Sequence, residues 1–424
     1  MVVREYVECP TCGRLYQIKI QVDQCIHYYE WPISFECQDC GEILDYGFSP
    51  KGLRPKESDY QPNPTAPPIT TLGYSSSLPI TGVLYLKDLD YMQSMALFSP
   101  FMSLTSQGHF TIAEIESFEA FLDVLYKNVI PYRGLFNSLL PIFLKGNVNA
   151  FSKKLSSLFD LKNYKPLNNS REMCKTIFEL LTTSYFNLIP SRYEEHYYRK
   201  YIKPLLDYLE KAPDVDVRLI KDKLDESGKI SVWYKTRALP YIAKMLLDVH
   251  KFIPVIIFLS VGENDIKKRG DLKIVTISFD DVVEKYEKGY EVFASGLKVF
   301  VGLSNIMENG DIDTFTNPGL GGITGITSFT SLSVGKMLEH VNNNVTIVDY
   351  LDGAMNNKVR NASSHDSMTY DSSTQEVHCY YNPSDYTNEY VTTLLDICRL
   401  CYVQMLHIIE ATLLARKIVE RVSS

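Results

Sequence analysis

The sequence has no long hydrophobic run, since its longest largely apolar stretch, around residues 252–261, covers only about ten residues. A helix needs about 20 apolar residues to cross a bilayer, so this stretch is too short to span a membrane. No signal peptide or other targeting segment precedes the first motif either. We therefore expect a soluble, cytoplasmic protein that has no membrane partner.

Motifs of several enzyme classes are also missing. The sequence has no HExxH motif and no acidic cluster with the spacing of metal ligands, which argues against a metal-dependent nuclease. The glycine-rich stretch at 319–325 lacks the lysine of a phosphate loop and the spacing of a dinucleotide-binding turn. It is more typical of a flexible loop.

Acidic residues outnumber basic ones: the chain has 51 aspartates and glutamates and 43 lysines and arginines, which gives a net charge of −8. This balance argues against nucleic-acid binding over the whole surface. Residues 145–244 carry 19 basic and 12 acidic side chains, whereas residues 279–424 carry 10 and 19. The middle of the chain therefore suits RNA binding, although an ordinary solvated helical surface explains the same balance.

Two matched Cys-x-x-Cys-Gly motifs lie near the N-terminus, one formed by Cys9 and Cys12 and the other, after 24 intervening residues, by Cys37 and Cys40. Four thiolates at this spacing suit tetrahedral zinc with no open position, and the glycines permit a tight backbone turn. We predict a zinc ribbon over residues 1–48 that binds one structural Zn²⁺, which does no chemistry but folds a segment too small to hold a core.

Alternatives to this ribbon remain open. Disulfides would use the same cysteines, but the lack of a signal peptide favours a reducing compartment. The ribbon either presents loops to nucleic acid or protein, or it serves only as a structural cap. Cys25 and His27, which lie between the two motifs, are expected to be ordinary strand or loop residues.

The rest of the chain predicts a mainly α fold. Residues 49–82 are rich in proline and serine, which indicates an extended linker. From 83 to 278, apolar residues recur at intervals of three and four, which predicts a helical middle region that senses a trigger or holds substrate. The best strand outside the ribbon and the C-terminal region is LKIVTISF at 272–279. A further helical region covers residues 279–424.

Near the C-terminus, the segment Arg360-Asn-Ala-Ser-Ser-His365 places an arginine and a histidine five positions apart. The guanidinium of Arg360 is a permanently charged fork that suits a phosphate, and His365 titrates near neutrality and can carry a proton. Asn361 can add a neutral hydrogen bond to the same substrate. These are the side chains needed to cleave RNA without a metal. The alternative is an ordinary helix end, whose arginine and histidine satisfy the last carbonyls and the helix dipole.

The geometry of this segment favours a site made by two chains. Residues 346–360 have apolar positions at helical intervals, which puts Arg360 on the last turns of a helix. His365 then lies roughly 140° further around the axis, so the two side chains need not converge within one chain. A second subunit would bring complementary copies together. Asp366 is expected to be a turn residue rather than a group that fixes the tautomer of the histidine.

Residues 279–422 resemble the HEPN superfamily of helical ribonucleases and nucleotide-binding domains. The signature of that superfamily is an arginine, a polar residue, three to five further residues and a histidine, late in the third helix of a bundle. Here it reads RNASSH. An earlier helix with apolar positions from Tyr286 to Val301, a small hairpin that turns at 371–373 and a final helix over 385–421 complete the resemblance.

The resemblance implies a metal-independent endoribonuclease in which the ribose 2′-hydroxyl attacks its neighbouring phosphorus and Arg360, Asn361 and His365 are catalytic. It also implies a homodimer that pairs two motifs. Similarity to HEPN toxins suggests an effector of bacterial abortive infection or phage defence, which acts on RNA after a phage-derived or cellular trigger. Two other functions remain open: a non-catalytic HEPN-type dimerisation or RNA-binding module, and a nucleotidyl transferase that modifies a partner.

Overall fold

Among the residues that the structure describes, helices dominate, as the sequence predicts, and short strands form three small sheets. The computed structural model describes residues 2–21, 31–37, 39–49, 52–55, 70–75, 83–85, 112–159, 166–225, 229–261, 274, 276–315, 323–342, 345–351, 354–371, 374–382 and 388–422. Cys25 and His27 lie outside these residues, and so does most of the glycine-rich stretch at 319–325.

The strands form three sheets with the orders β1-β2-β6-β7, β3-β4-β5 and β10-β9-β8. Their bounds are β1 Val2–Glu8, β2 Leu15–Gln21, β3 Trp31–Glu36, β4 Ile43–Ser49, β5 Gly52–Pro55, β6 Thr70–Ser75, β7 Val83–Tyr85, β8 Met368–Tyr370, β9 Glu376–Tyr380 and β10 Glu389–Thr393. All pairs are antiparallel except β2 with β6. Strands β5 and β6 fall within the stretch at 49–82, where the sequence predicts a linker, and most of its remainder lies outside the described residues.

The helices follow the apolar periodicity of the sequence. Their bounds are α1 Ile112–Val124, α2 Ile130–Leu144, α3 Val148–Phe159, α4 Ser170–Phe186, α5 Ser191–Tyr193, α6 Lys203–Lys211, α7 Asp214–Leu224, α8 Lys229–Trp233, α9 Leu239–Asp248, α10 Ile253–Val261, α11 Phe279–Asn309, α12 Ile326–Thr330, α13 Val334–Asn342, α14 Val345–Leu351, α15 Asn357–Ser364 and α16 Leu394–Val422. Segments Leu125–Val129, Glu194–Ile202 and Tyr234–Ala238 are π-helical, and Val249–Phe252 is a 3₁₀ turn.

Two compact units divide the chain, and each takes residues from both sides of position 279, where the sequence predicts a domain boundary. The first unit consists of Met1–Lys127, Val249–Lys285 and Lys358–Arg399. The second consists of Asn128–Asp248, Tyr286–Asn357 and Leu400–Ser424. The cysteine motifs and the Arg360 motif therefore belong to the first unit.

In the first unit, the strand predicted at 272–279 does not form in the described residues. Ile274 is irregular, and Phe279 already begins α11. The side-chain amide of Gln375 replaces a neighbouring strand, because its Nε2 donates to the Ile274 carbonyl and its Oε1 accepts from the Ile274 N–H, each at 2.8 Å. The backbone is thus satisfied without a sheet.

The predicted hairpin is confirmed, but the predicted start of the last helix is wrong. Strands β8 and β9 pair antiparallel, while Ser372 and Ser373 of the predicted turn lie outside the described residues, and residues 389–393, expected to be helical, form a third strand. Helix α16 begins only at Leu394, since the hydroxyl of Thr393 accepts a hydrogen bond from the N–H of Asp396 at 3.1 Å. This is the N-cap interaction that starts a helix.

The second unit has a core of aromatic and apolar side chains. The apolar positions predicted for α11 are all buried: Tyr286, Tyr290, Phe293, Leu297 and Val301. The buried carboxylate of Glu410 on α16 accepts hydrogen bonds from the hydroxyls of Tyr185 and Tyr350, and it lies 2.9 Å from Nδ1 of His407. Nε2 of His407 donates to the Tyr350 carbonyl at 2.8 Å. The carboxylate oxygens and both ring nitrogens have hydrogen-bond partners, so the network joins α4, α14 and α16 without leaving these buried polar atoms unsatisfied.

The prediction that no stretch of the sequence is long and apolar enough to cross a membrane is wrong, because helix α16 meets that test by length and composition over Leu394–Arg421. However, 89% of its most apolar window is buried inside the protein. Cys398 and Cys401 are fully buried in this helix, as the sequence predicts. Burial of this kind is expected for the core helix of a globular domain.

Candidate functional site

The Arg360 motif lies on a short separate helix. The prediction that residues 346–360 form one helix is wrong, because α14 ends at Leu351 and α15 begins at Asn357. Arg360 is therefore near the middle of an eight-residue helix rather than on the last turns of a long one.

Side chains from distant parts of the chain stabilise the break between the two helices. The hydroxyl of Tyr286 donates to the Asn356 carbonyl at 2.8 Å and accepts from the Asn356 N–H at 3.0 Å. Nε2 of Gln404 donates to the Ala354 carbonyl at 2.8 Å. These bonds satisfy backbone groups that a continuous helix would have paired internally. They also fix the point at which α15 begins.

Burial determines which residues of α15 face solvent. The inward side is formed by three buried residues, Val359, Ala362 and Ser363. Arg360 and Asn361 are half-buried, and His365, directly after the helix, is exposed. Because a helix turns about 100° per residue, all three lie away from the inward side, with Asn361 between Arg360 and His365.

Within one chain, only part of the predicted site comes together. Nη1 of Arg360 donates to Oδ1 of Asn361 at 3.5 Å, which is a long hydrogen bond. Among the residues that the structure describes, no hydrogen bond or ion pair links His365 to either of them. The arginine and the asparagine are thus in contact, while the imidazole is exposed to solvent and has no bond to either of them among these residues.

A defined turn ends α15 at His365. The Asp366 N–H donates to the Ser363 carbonyl at 3.2 Å, and the Ser367 N–H donates to the Ala362 carbonyl at 2.9 Å. Asp366 has a φ of 49°. This is a Schellman motif with aspartate in the left-handed position, where a short polar side chain is tolerated. Asp366 is therefore a turn residue, as predicted, and the turn fixes the backbone of His365.

The hairpin connects to the end of this helix. The Tyr380 N–H donates to the Ser367 carbonyl at 3.0 Å, and the Ser367 hydroxyl donates to the Tyr380 carbonyl at 2.7 Å. Further along the strands, Nδ1 of His378 lies 2.6 Å from a carboxylate oxygen of Glu389. His378 on β9 is therefore paired with Glu389 on β10. In the described residues, no hydrogen bond or ion pair links it to the Arg360 motif.

The sequence did not predict a cluster of one basic and two aromatic side chains, formed by Lys358, Tyr381 and Tyr390. Nζ of Lys358 lies 5.4 Å from the ring centroid of Tyr381 and 5.2 Å from that of Tyr390. These are cation–π distances. Lys358 is two residues before Arg360 in the same helix, α15. The signals in the sequence are weak: a lysine close to the motif and several tyrosines in the hairpin region.

The four cysteines form a second candidate site. The thiol sulfurs of Cys9, Cys12, Cys37 and Cys40 all lie within 4.8 Å of one another. The Cys9–Cys40 and Cys12–Cys37 sulfur distances are 3.5 Å, far longer than the roughly 2.05 Å of a disulfide. Zn–S bonds of about 2.3 Å in a tetrahedron would place sulfurs about 3.8 Å apart. The cluster is therefore compatible with a structural zinc ion.

The two cysteine turns have the same backbone. The Gly13 N–H donates to the Cys9 carbonyl and the Gly41 N–H to the Cys37 carbonyl, both at 2.9 Å. Both glycines have a positive φ, 75° and 76°, which an L-residue rarely adopts. The predicted role of glycine in these turns is confirmed.

The thiol of Cys37 is hydrogen-bonded by a side chain and by the backbone. Burial alone would raise the pKa of its thiol, but the Tyr16 hydroxyl, at 3.2 Å from the sulfur, and backbone N–H groups outweigh burial and lower the pKa to about 7. Hydrogen bonds to the charged sulfur favour the thiolate, which is the form that binds a metal. Tyr16 packs edge-on against Phe35 at 5.0 Å, which holds its hydroxyl in place.

Comparison with known proteins gives no family assignment. No protein-family model matches this chain, and no curated protein or solved structure is significantly similar to it. The functional assignment must therefore come from the chemistry and geometry of the two candidate sites.

Proposed function

We propose that this chain is a metal-independent endoribonuclease whose C-terminal region is of the HEPN type. The observation that carries the proposal is the position of Arg360, Asn361 and His365 on the outward side of one helix end, fixed by a Schellman turn. A charged fork, an amide and an imidazole on one accessible surface are the groups that a phosphodiester cleavage requires.

The proposed reaction uses the substrate's own nucleophile. His365 removes the proton from the ribose 2′-hydroxyl, whose oxygen then bonds to the adjacent phosphorus, and the bond from phosphorus to the 5′-oxygen breaks. A protonated histidine donates a proton to that leaving oxygen. Arg360 stabilises the charge that develops on the phosphoryl oxygens, and Asn361 orients the phosphate. The products are a 2′,3′-cyclic phosphate and a 5′-hydroxyl.

A homodimer supplies both proton-transfer roles. One chain holds Arg360 against Asn361 at 3.5 Å but leaves His365 without a bond to either in the described residues. In a twofold dimer, the two copies of the motif face each other, and one imidazole acts as base while the other acts as acid. An isologous interface of this kind is the commonest form of oligomer.

RNA is held in part by the cluster of Lys358, Tyr381 and Tyr390. The lysine offers a positive charge for a backbone phosphate, and the two rings offer surfaces on which unpaired bases stack. Lys358 lies on α15, as Arg360 does, and its ammonium lies 5.4 Å and 5.2 Å from the centroids of the two rings. The net charge of −8 makes such a local basic and aromatic surface necessary for RNA binding.

The N-terminal cysteines are proposed to bind one Zn²⁺ in a zinc ribbon. Cys9, Cys12, Cys37 and Cys40 supply four thiolates and leave no open position, so the ion stabilises the fold and takes no part in cleavage. The ribbon and the helical second unit would then sense a trigger or hold substrate. We infer a cytoplasmic, toxin-like effector of bacterial abortive infection or phage defence, released by a phage-derived or cellular trigger.

Cleavage of RNA in the presence of EDTA tests this function. We expect the full-length protein to cut RNA and to leave 2′,3′-cyclic phosphate and 5′-hydroxyl ends, whereas Arg360→Ala and His365→Ala should each lower the rate by roughly 10²–10⁴-fold. Matched controls are Arg218→Ala and His196→Ala, because both residues are exposed and lie in the second unit. These controls should cleave like the unmodified protein.

Two results would overturn the proposal. Cleavage that persists in Arg360→Ala and His365→Ala would assign the activity to another site. RNA that is bound but never cut by the unmodified protein would favour a non-catalytic RNA-binding module. The lack of a bond between His365 and Arg360 in the described residues of one chain also supports that module.

A further inference from the structure

The second unit contains a cavity that the proposed nuclease does not use. Its volume is about 480 Å³, which falls in the range of roughly 300–1,000 Å³ typical of small-molecule sites. The residues that line it are Lys229, Arg237, Glu291, Ala294, Ser295, Lys298, Phe329, Thr330, Val334 and Met337. All belong to the second unit, and the Arg360 motif belongs to the first.

One wall is a continuous stripe of α11. Glu291, Ser295 and Lys298 are spaced by four and three positions, so they project from one side of the helix. The ammonium of Lys298 donates to the Leu224 carbonyl at 2.8 Å, which holds this cation at the end of the stripe. The wall therefore presents a carboxylate, a hydroxyl and an ammonium in order along one helix.

A guanidinium is held over this wall in a fixed orientation. Nη1 of Arg237 donates to the Ser295 hydroxyl at 2.9 Å, and Nη2 lies 3.5 Å from a carboxylate oxygen of Glu291. The Ser295 hydroxyl in turn donates to the Glu291 carbonyl at 2.9 Å. A planar fork that is already oriented loses little freedom when it binds an anion.

The lining carries excess positive charge. Three cations, Lys229, Arg237 and Lys298, face one carboxylate, which gives a formal charge of +2. Glu291, the one carboxylate of the lining, interacts with Arg237. A dianion such as a phosphate monoester is the ligand that balances this charge.

Four of the residues that line the cavity are apolar. Phe329 on α12 is fully buried, and Val334 and Met337 on α13 are half-buried and three positions apart, hence on one side of their helix. Ala294 on α11 completes an apolar surface. Aromatic and aliphatic side chains of this kind suit a flat ring, and the thioether of methionine adapts its shape to one.

We propose that this cavity binds a small organic phosphate that carries an aromatic or other flat apolar ring. The phosphate lies against Arg237 and Lys298, with Lys229 at the rim, and the ring packs between Phe329, Val334 and Met337. This site does not depend on the proposed nuclease activity, because it uses no residue of the Arg360 motif.

Calorimetric titration of the full-length protein with three probes tests the site: 1-naphthyl phosphate, inorganic phosphate and 1-naphthol. We expect 1-naphthyl phosphate to bind at least about tenfold more tightly than inorganic phosphate or 1-naphthol, because only this probe contacts both the cationic and the apolar residues of the lining. Arg237→Gln should weaken both phosphates by roughly tenfold, whereas Arg237→Lys, which keeps the charge, should lose less. Met337→Gln should weaken 1-naphthyl phosphate but not inorganic phosphate.

The matched control is Lys336→Gln, since this exposed lysine precedes Met337 on α13 but does not line the cavity. Its affinities should equal those of the unmodified protein. Equal affinity for 1-naphthol and 1-naphthyl phosphate would overturn the proposal, as would no binding of any probe at millimolar concentration. Affinities that are unchanged in Arg237→Gln would overturn it too, provided that the thermal midpoint shows a folded variant.

Discussion

The guanidinium of Arg360 donates to the side-chain oxygen of Asn361 at 3.5 Å, on a helix that starts only at Asn357. Neighbours in a helix point about 100° apart, so this contact requires both side chains to lean toward each other. The pair forms a surface with a fixed charge and an amide next to the exposed His365.

The planar fork of Arg360 is expected to matter more than its charge. Lysine keeps the positive charge but cannot offer two parallel N–H groups to a phosphate. Arg360→Lys should therefore lower the single-turnover cleavage rate by roughly 10²-fold. Arg218→Lys is the matched control and should have no effect. A rate of Arg360→Lys within twofold of the unmodified protein would contradict a bidentate role.

The two tyrosines beside Lys358 are expected to contribute to RNA affinity. Each stacked base is worth about 1–3 kcal/mol, so Tyr381→Ala and Tyr390→Ala should each weaken single-stranded RNA binding by roughly tenfold. Binding is measured by fluorescence anisotropy with a His365→Ala background, in which the RNA stays intact. Tyr132→Ala, which removes an exposed tyrosine of the second unit, is the control. Unchanged affinity in both hairpin variants would exclude the stacking surface.

The zinc content of the protein should depend on the four cysteines and on Tyr16, whose hydroxyl donates to the Cys37 sulfur. We expect one Zn²⁺ per chain, lost in Cys37→Ser, as measured by elemental analysis. Tyr16→Phe removes the hydrogen bond to the Cys37 sulfur and should lower zinc affinity by roughly 10–100-fold in a chelator competition. Cys174→Ser, a cysteine outside the cluster, should keep full metal. Full zinc retention in Cys37→Ser would remove the ribbon from the proposal.

Gly289 should be required for the helix break that precedes the motif. A Cβ atom at this position would lie 2.4 Å from Oε1 of Gln404 and from the Tyr241 hydroxyl, too close for either to remain in place. Because Gln404 caps the Ala354 carbonyl, Gly289→Ala should destabilise the protein by about 1–3 kcal/mol in urea unfolding. Gly134→Ala meets no atom within 4 Å and should stabilise its helix by about 0.5–1 kcal/mol. Equal stability of both variants would show that Gln404 can move freely.

The buried carboxylate of Glu410 should be essential to the core of the second unit. Glu410→Ala removes the acceptor of Tyr185 and Tyr350 and the partner of His407, so it should cost roughly 3–5 kcal/mol in unfolding free energy. Glu179→Ala removes an exposed partner of Lys175 and should cost less than about 1 kcal/mol. A loss below that level in Glu410→Ala would mean that the network repacks without its carboxylate.

Local patterns predicted most of the helices and the cysteine turns. The apolar intervals from Tyr286 to Val301 are a property of neighbouring residues, and all of these positions are buried in α11. The hairpin of β8 and β9 was also predicted from its residues. Thr393 and Asp396, three positions apart, form a cap that the sequence already contained but that the prediction of a helix from 385 overlooked.

Non-local contacts explain what the sequence could not predict. The apolar spacing of 346–360 is helical, yet the helix breaks because Tyr286 and Gln404 supply hydrogen bonds from outside the segment. The contacts of Lys358 with Tyr381 and Tyr390 likewise depend on how the hairpin folds back. The cavity beside Arg237 brings together three separate segments, 229–237, 291–298 and 329–337, which no spacing rule connects.

The sequence by itself determined the mainly helical character, the paired cysteine turns and the presence of an arginine, an asparagine and a histidine within six residues. These features depend on residue type and short spacing, which act through local backbone geometry. The tertiary structure decided where α15 begins, which of its residues face solvent and which cations meet around Arg237. Those outcomes depend on hydrogen bonds and burial between segments far apart in the chain, and each partner is defined only once the chain has folded.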